Sequence, residues 1–142
     1  MRARHLPCIV PALFLGAACS SSVSTSCSDA DAPRYALHVG ASHVIGTTQW
    51  SVKLDSVISD SRCPLGVLCI QAGEALLAME LTNPAADISP PDNPHFALGT
   101  TQLTVNGFRF FQIDIQPIRQ QNQTIDQSAY VATLRVGLPC LE

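Results

Sequence analysis

The chain has 142 residues, 46% of them hydrophobic and 13% charged, with eight Lys plus Arg against eleven Asp plus Glu and a net charge of −3 with histidine neutral. That length suits one domain. An acidic balance with no arginine-rich segment lacks the basic footprint of a nucleic-acid binder, so that class of partner is excluded.

The chain starts MRARHLPCIVPALFLGAACSSS. Arg2, Arg4 and His5 form a basic start, and an apolar run follows from Leu6 to Ala18. A bilayer-spanning helix needs about 20 residues, so this run is too short to span, but it suits the apolar core of a secretory signal. Pro7 and Pro11 would interrupt a buried N-terminal helix. Residues 1–18 are therefore expected to be a signal peptide. The end of the run, LGAAC, resembles the lipobox of bacterial lipoproteins, with Cys19 as the lipidated residue. It departs from that pattern in having Leu15 at minus four and Gly16 at minus three. The expected location is the bacterial cell envelope, as an outer-membrane lipoprotein facing periplasm or surface, held to the membrane by an N-terminal lipid; the alternative is a soluble secreted protein. Residues 19–33, Ser-rich and poor in apolar side chains, read as a tether, and 34–142 as the folded domain. Loss of the leader removes Arg2 and Arg4, leaving six basic against eleven acidic residues and a net charge of −5.

Within the domain the pattern is of short strands. Tyr35, Leu37 and Val39 alternate with Ala36, His38 and Gly40, the period of a half-buried strand. Next, Trp50, Val52, Leu54, Ser56 and Ile58 are expected on one face, with Ser51, Lys53, Asp55 and Ser59 on the other and Val57 out of step. In AGEALLAMEL, residues 72–81, the composition favours a helix, yet Ala75, Leu77, Met79 and Leu81 alternate; neighbouring strands decide for a strand. The Pro- and Asp-rich stretch 83–100 reads as a loop. Asn106-Gly107 lies between two alternating runs, a strong hairpin signal. On the second arm Phe108 and Phe110 share one parity and Phe111, Ile113 and Ile115 the other, which predicts a β-bulge near Phe110, with Pro117 ending the strand. Tyr130, Ala132, Leu134 and Val136 mark the last strand. The fold expected is all-β, a small single-domain antiparallel β-sandwich or open barrel of about six to eight strands.

Cysteines occur at 8, 19, 27, 63, 69 and 140. With Cys8 in the leader and Cys19 assigned to lipid, four remain, which allow three pairings in an oxidising compartment. Proximity favours Cys63 with Cys69, and elimination then pairs Cys27 with Cys140. Loop-closure entropy gives upper estimates of roughly 2 kcal/mol for the small ring and roughly 5 for the terminal one. A spacing of six between Cys63 and Cys69 fits neither a CxxC redox motif nor a zinc site, and no metal or cofactor is expected.

DSRCPLGVLCIQAGEA, residues 60–75, resembles a set of small bacterial envelope lipoproteins that carry Asp-Ser-Arg-Cys-Pro, a short gap, then Cys and Ala-Gly. The matching positions are Asp60, Ser61, Arg62, Cys63, Pro64, Cys69, Ala72 and Gly73, and the likeness spans 54–81. It departs in having Gln71 where such proteins often have an aromatic. The resemblance implies a lipoprotein with a β-rich domain and implies no activity. In physical terms Pro64 stiffens the entry to the ring, Gly66 permits a turn within it, and Gly73 lets the next strand begin at a bend.

Chemistry is thinly represented. His38, His43 and His95, with Asp60, Glu74 and Asp114, are the candidate acids and bases, but none stands in a catalytic motif. His38 is read as polar-face, His43 as turn and His95 as loop, all solvated. Asp87, Asp92 and Asn93 lack the spacing of a calcium loop. The sequence points to a non-catalytic binding or structural module whose partner is an envelope protein or a small ligand. Asp60, Arg62, Pro64, Leu65, Leu68 and Gly73 form its candidate binding loop, and residues 83–100 offer a second surface. Two alternatives stand beside it: a protease inhibitor that presents Leu65 or Leu68, and a secreted hydrolase of unrecognised type.

Overall fold

The computed structural model describes residues 28–85 and 94–139. The leader, Cys8, Cys19, Cys27, Cys140 and the acidic cluster Asp87, Asp92 and Asn93 lie outside the described residues. Eight strands are described: β1 (Arg34–His38), β2 (Ser42–Val44), β3 (Ser51–Asp60), β4 (Ala75–Thr82), β5 (His95–Leu98), β6 (Leu103–Val105), β7 (Phe108–Gln116) and β8 (Val131–Gly137), with a 3-10 turn at Gln127–Ala129. They form two antiparallel four-stranded sheets, β1-β8-β7-β6 and β2-β3-β4-β5, that do not close into a barrel.

Period-two alternation builds the core. In β4, Ala75, Leu77, Met79 and Leu81 are buried, and the intervening residues are half-exposed. The chain therefore takes the strand that its helix-favouring composition argued against, because burial between two sheets outweighs intrinsic propensity. Tyr35 and Leu37 of β1, and Ala132, Leu134 and Val136 of β8 with Tyr130 before it, are buried as their alternation predicts. Aromatic rings fill the β6–β7 end, where Trp50 meets Phe108 edge-on at 5.8 Å and Phe96 meets Phe110 at 4.9 Å. Asn106 and Gly107 both take positive φ, 48° and 80°, the backbone of the tightest hairpin turn.

Four expectations are corrected. In β3 the buried residues are Val52, Leu54 and Val57, and Ile58 is 55% exposed. Two register shifts against β4, one between Leu54 and Ser56 and one between Val57 and Ser59, change the phase twice, so Ser56 and Ile58 leave the face expected for them. The bulge of β7 lies between Gln112 and Asp114, beyond Phe110, and puts Ile113 out of the core. His43 stands in β2 with its ring 4.8 Å from that of Tyr35, and not in a turn. His95 opens β5 opposite Glu80, so the expected loop 83–100 ends in a strand that completes the second sheet. Both strands are short edge strands with little buried surface.

Candidate functional site

Residues 60–73 leave β3 at one end of the sandwich and return to β4. Cys63 and Cys69 are joined in a disulfide. Inside the ring, the Val67 N–H donates to the Pro64 carbonyl at 3.3 Å, and Gly66 has φ 80°. Such a turn needs a residue that tolerates positive φ at its third position, which Gly66 supplies. The Leu65 N–H donates to the Arg119 carbonyl at 2.9 Å, tying the ring to the segment after β7.

Beneath the ring lies a polar anchor. Arg62 donates from Nε to Asp60 Oδ1 at 2.9 Å and from Nη2 to Oδ2 at 2.7 Å, a two-pronged pair. The same guanidinium reaches across to the first sheet, donating to the carbonyls of Ile115 and, at 3.0 Å, Pro117. Arg119 donates to the Arg62 carbonyl at 3.0 Å, and the Tyr130 hydroxyl donates to Asp60 Oδ2 at 3.1 Å. Burial works to raise the pKa of Asp60, but the hydrogen bonds and charge of Arg62 outweigh it, and the net shift is downward. Its partner is raised by the hydrogen bond to Asp60, against burial. Tyr130 is raised by burial, and further by the bond to Asp60. The arrangement holds both groups charged and spends their hydrogen-bonding capacity within the protein. Asp60 and Arg62, placed in the candidate binding loop by the sequence, also bond backbone groups: Asp60 Oδ1 accepts from the Arg62 N–H at 3.1 Å, and Arg62 donates to the carbonyls of Ile115 and Pro117.

Gly73 has a packing role. A Cβ there would overlap the Ser61 carbonyl, because residues 61 and 74 clasp each other: Ser61 N–H donates to the Glu74 carbonyl at 2.8 Å, and Glu74 N–H to Ser61 Oγ at 3.0 Å. The Glu74 carboxylate accepts from Thr100 N–H at 3.1 Å and Thr100 Oγ1 at 3.2 Å, and Asp114 accepts from Gln116. His95 Nδ1 is 3.7 Å from Asp55 on the outer face of the second sheet, where Lys53 also pairs with Asp55 at 2.8 Å. Asp60 and Asp114 both act on Arg62, whereas His95 lies with Asp55 on the second sheet and His38 is exposed on β1.

What the loop shows to solvent is aliphatic. Leu65 is 63% exposed, and Leu68 and Ile70 are exposed to 102% and 103%, as open as free side chains. Ile118, beside the ring-tethering Arg119, is 52% exposed. Residues 63–73 carry no charge. Sequence reading named Leu65 and Leu68 and missed Ile70 and Ile118. Ile70 stands just outside the ring, and a single aliphatic residue without a strand pattern around it carries no signal of exposure. A polar cleft of about 280 Å³ lies behind the loop, lined by Asp60, Arg119, Gln127 and Tyr130 among others.

Comparison with protein families, with curated proteins and with solved structures gives no match for this chain.

Proposed function

We propose that the protein is an exported, lipid-anchored module of the bacterial cell envelope that binds an envelope partner through the aliphatic tip of its stapled loop, without catalysis. One observation carries this reading: Leu68 and Ile70 stand fully in water on a loop that a disulfide, a clamped arginine and a cross-sheet hydrogen bond hold rigid. Exposed aliphatic side chains on a restrained loop lose little conformational entropy on binding, which favours recognition. Rigid scaffolds commonly display such contacts on loops. The disulfide fits an oxidising compartment.

The test places a photo-crosslinking residue at position 68 of the protein in its native cells, with Thr104 as the control position. A discrete crosslinked partner at 68, absent at 104 and weakened at least tenfold by Ile70→Asp, is expected. Equal labelling at both positions overturns the reading. A second reading, a substrate-like loop for a protease, has Leu68 as its only anchor, because Leu65 sits in a tight turn and not in extended backbone. It requires a protease as the crosslinked species.

A further inference from the structure

On the outer face of the first sheet, register sets Phe111 of β7 opposite Arg135 of β8, and Arg135 opposite Arg34 of β1. Their chain neighbours Phe110, Leu134, Val136 and Tyr35 are buried, so the three side chains lie side by side on the face turned away from the core. The Arg135 guanidinium lies over the Phe111 ring, 4.6 Å from its centre. Its Nε is shielded and has no hydrogen-bond acceptor among the described residues. Like charges directly opposite on neighbouring strands are unfavourable, and a shielded donor without an acceptor adds to the cost.

The other Lys and Arg side chains among the described residues have partners. Lys53 has Asp55 and Glu80, Arg62 has Asp60, and Arg109 has Asp29, and Arg119 donates to a backbone carbonyl. Arg34 and Arg135 alone stand adjacent in register with no carboxylate in ion-pair range among the described residues. Asp29, held by Arg109 at the end of this face, feels the Arg135 charge but makes no ion pair with it, so an acidic chain sets two guanidinium groups side by side on one sheet face without a direct carboxylate partner, with an aromatic ring beneath one of them. That arrangement favours phosphate oxygens.

The route of the chain selects the source of phosphate. Asp29 is bonded to Arg109, which stands two residues before Phe111 on β7. The N-terminal segment thus joins the domain on this same face. Cys19 lies nine residues before Ser28, a reach of about 30 Å when extended. A lipid at Cys19 would hold this face near the bilayer.

We propose that the face centred on Arg34 and Arg135 docks on an anionic phospholipid surface, with the two guanidinium groups on headgroup phosphates. The idea draws its setting from the envelope reading above, but its test does not need the lipid anchor. Full-length protein carrying Cys19→Ser is sedimented with vesicles of phosphatidylcholine, alone or with about a third phosphatidylglycerol. Near an anionic surface each arginine contributes about fivefold in affinity. The double variant Arg34→Gln/Arg135→Gln is expected to bind the anionic vesicles about 25-fold more weakly, and Arg119→Gln to bind as the parent does. Unchanged thermal melts show that the variants are folded. No preference of the parent for anionic vesicles at low salt, or equal binding by the double variant, overturns the proposal. Loss of the same size with Arg119→Gln reduces it to net charge and overturns it too. Retention on heparin without vesicle binding would assign the row to a soluble acidic partner. Absence of lipid on the native protein would overturn the anchor and leave the vesicle result standing.

Discussion

Asp60 carries a charge with its side chain only 7% exposed, and Arg62, 20% exposed, is its partner. Removing one member of such a pair strands the other, which for buried pairs costs about 3–5 kcal/mol; partial solvent access lowers this to about 2–4. Asp60→Asn is expected to destabilise the protein by that amount at pH 7, and Tyr130→Phe by about 1 kcal/mol for one hydrogen bond. The acid limb separates the two variants. The folded pKa of Asp60 lies below its ordinary value of 3.8, so the unfolded state takes up the proton first as the pH falls. The stabilisation is whole above the unfolded value and is lost as the pH drops through the folded one. Urea unfolding between pH 7 and pH 2 is expected to show a shallower acid loss in Asp60→Asn than in the parent. An identical acid limb would place the titration elsewhere. Asp29, lowered by its hydrogen bond to Arg109, acts in the same direction, so the limb flattens without vanishing.

Strand β3 shows how far a pattern of alternation can be read. Its two bulges turn Val57 to the core, and the Val57 N–H and carbonyl both pair with the Gln127 side-chain amide at 2.9 Å. This amide serves as a one-residue strand on an edge that β2, paired only with residues 51–53, leaves open. Gln127→Ala is expected to cost about 2–3 kcal/mol, two hydrogen bonds left unmade at a half-buried edge, whereas Gln123→Ala, on the same segment, costs under about 0.5. Chemical denaturation checks both; equal small losses would make the amide contact incidental. In the sequence, Val57 was visible only as a residue out of step, and nothing in Gln127 marked it as its partner seventy positions away. By contrast β1, β4 and β8 were legible because each runs without a bulge, so every second residue is buried. The β7 bulge was legible as a change of parity but not in place: Phe111 keeps its outward position, and the ladder slips only after Gln112. Short edge strands β2 and β5 were missed because their residues are mostly exposed and leave no alternation to see. The stapled loop was named from its cysteines, whereas its clamp, made by Arg62 on carbonyls of a distant strand, depends on the packing of the two sheets.

At the scale of the whole molecule, the sandwich has two distinct ends. Strand β7 starts beside the Asp29–Arg109 pair and finishes where Arg62 bonds the carbonyls of Ile115 and Pro117. A nine-residue strand is about 30 Å long, so the chain enters at one end and the aliphatic tip stands at the other. Ser28 and Pro139 line one cleft of about 260 Å³, and the next residues outward in sequence are Cys27 and Cys140. Cys27 and Cys140 lie outside the described residues, and their pairing stays the proposal made from the sequence. Such a bridge would close nearly the whole domain into a loop, with an upper estimate of roughly 5 kcal/mol against roughly 2 for the Cys63–Cys69 ring. Those sums are large beside a total stability of about 5–15 kcal/mol for a small domain. The terminal bridge, not the ring, should therefore govern survival on reduction. Intact mass of membrane-extracted native protein tests anchor and bridges together. The expected mass begins at Cys19 with a diacylglycerol adduct, and four cysteines take up alkylating reagent only after reduction. A lipid-free mass sinks the anchor, and thiols at 27 and 140 that alkylate without reduction sink the bridge. Cys27→Ser/Cys140→Ser should then lose several times more stability than Cys63→Ser/Cys69→Ser. The ring variant should keep its fold and lose partner crosslinking at position 68, because Arg62 still pins the base of the loop while its tip is released.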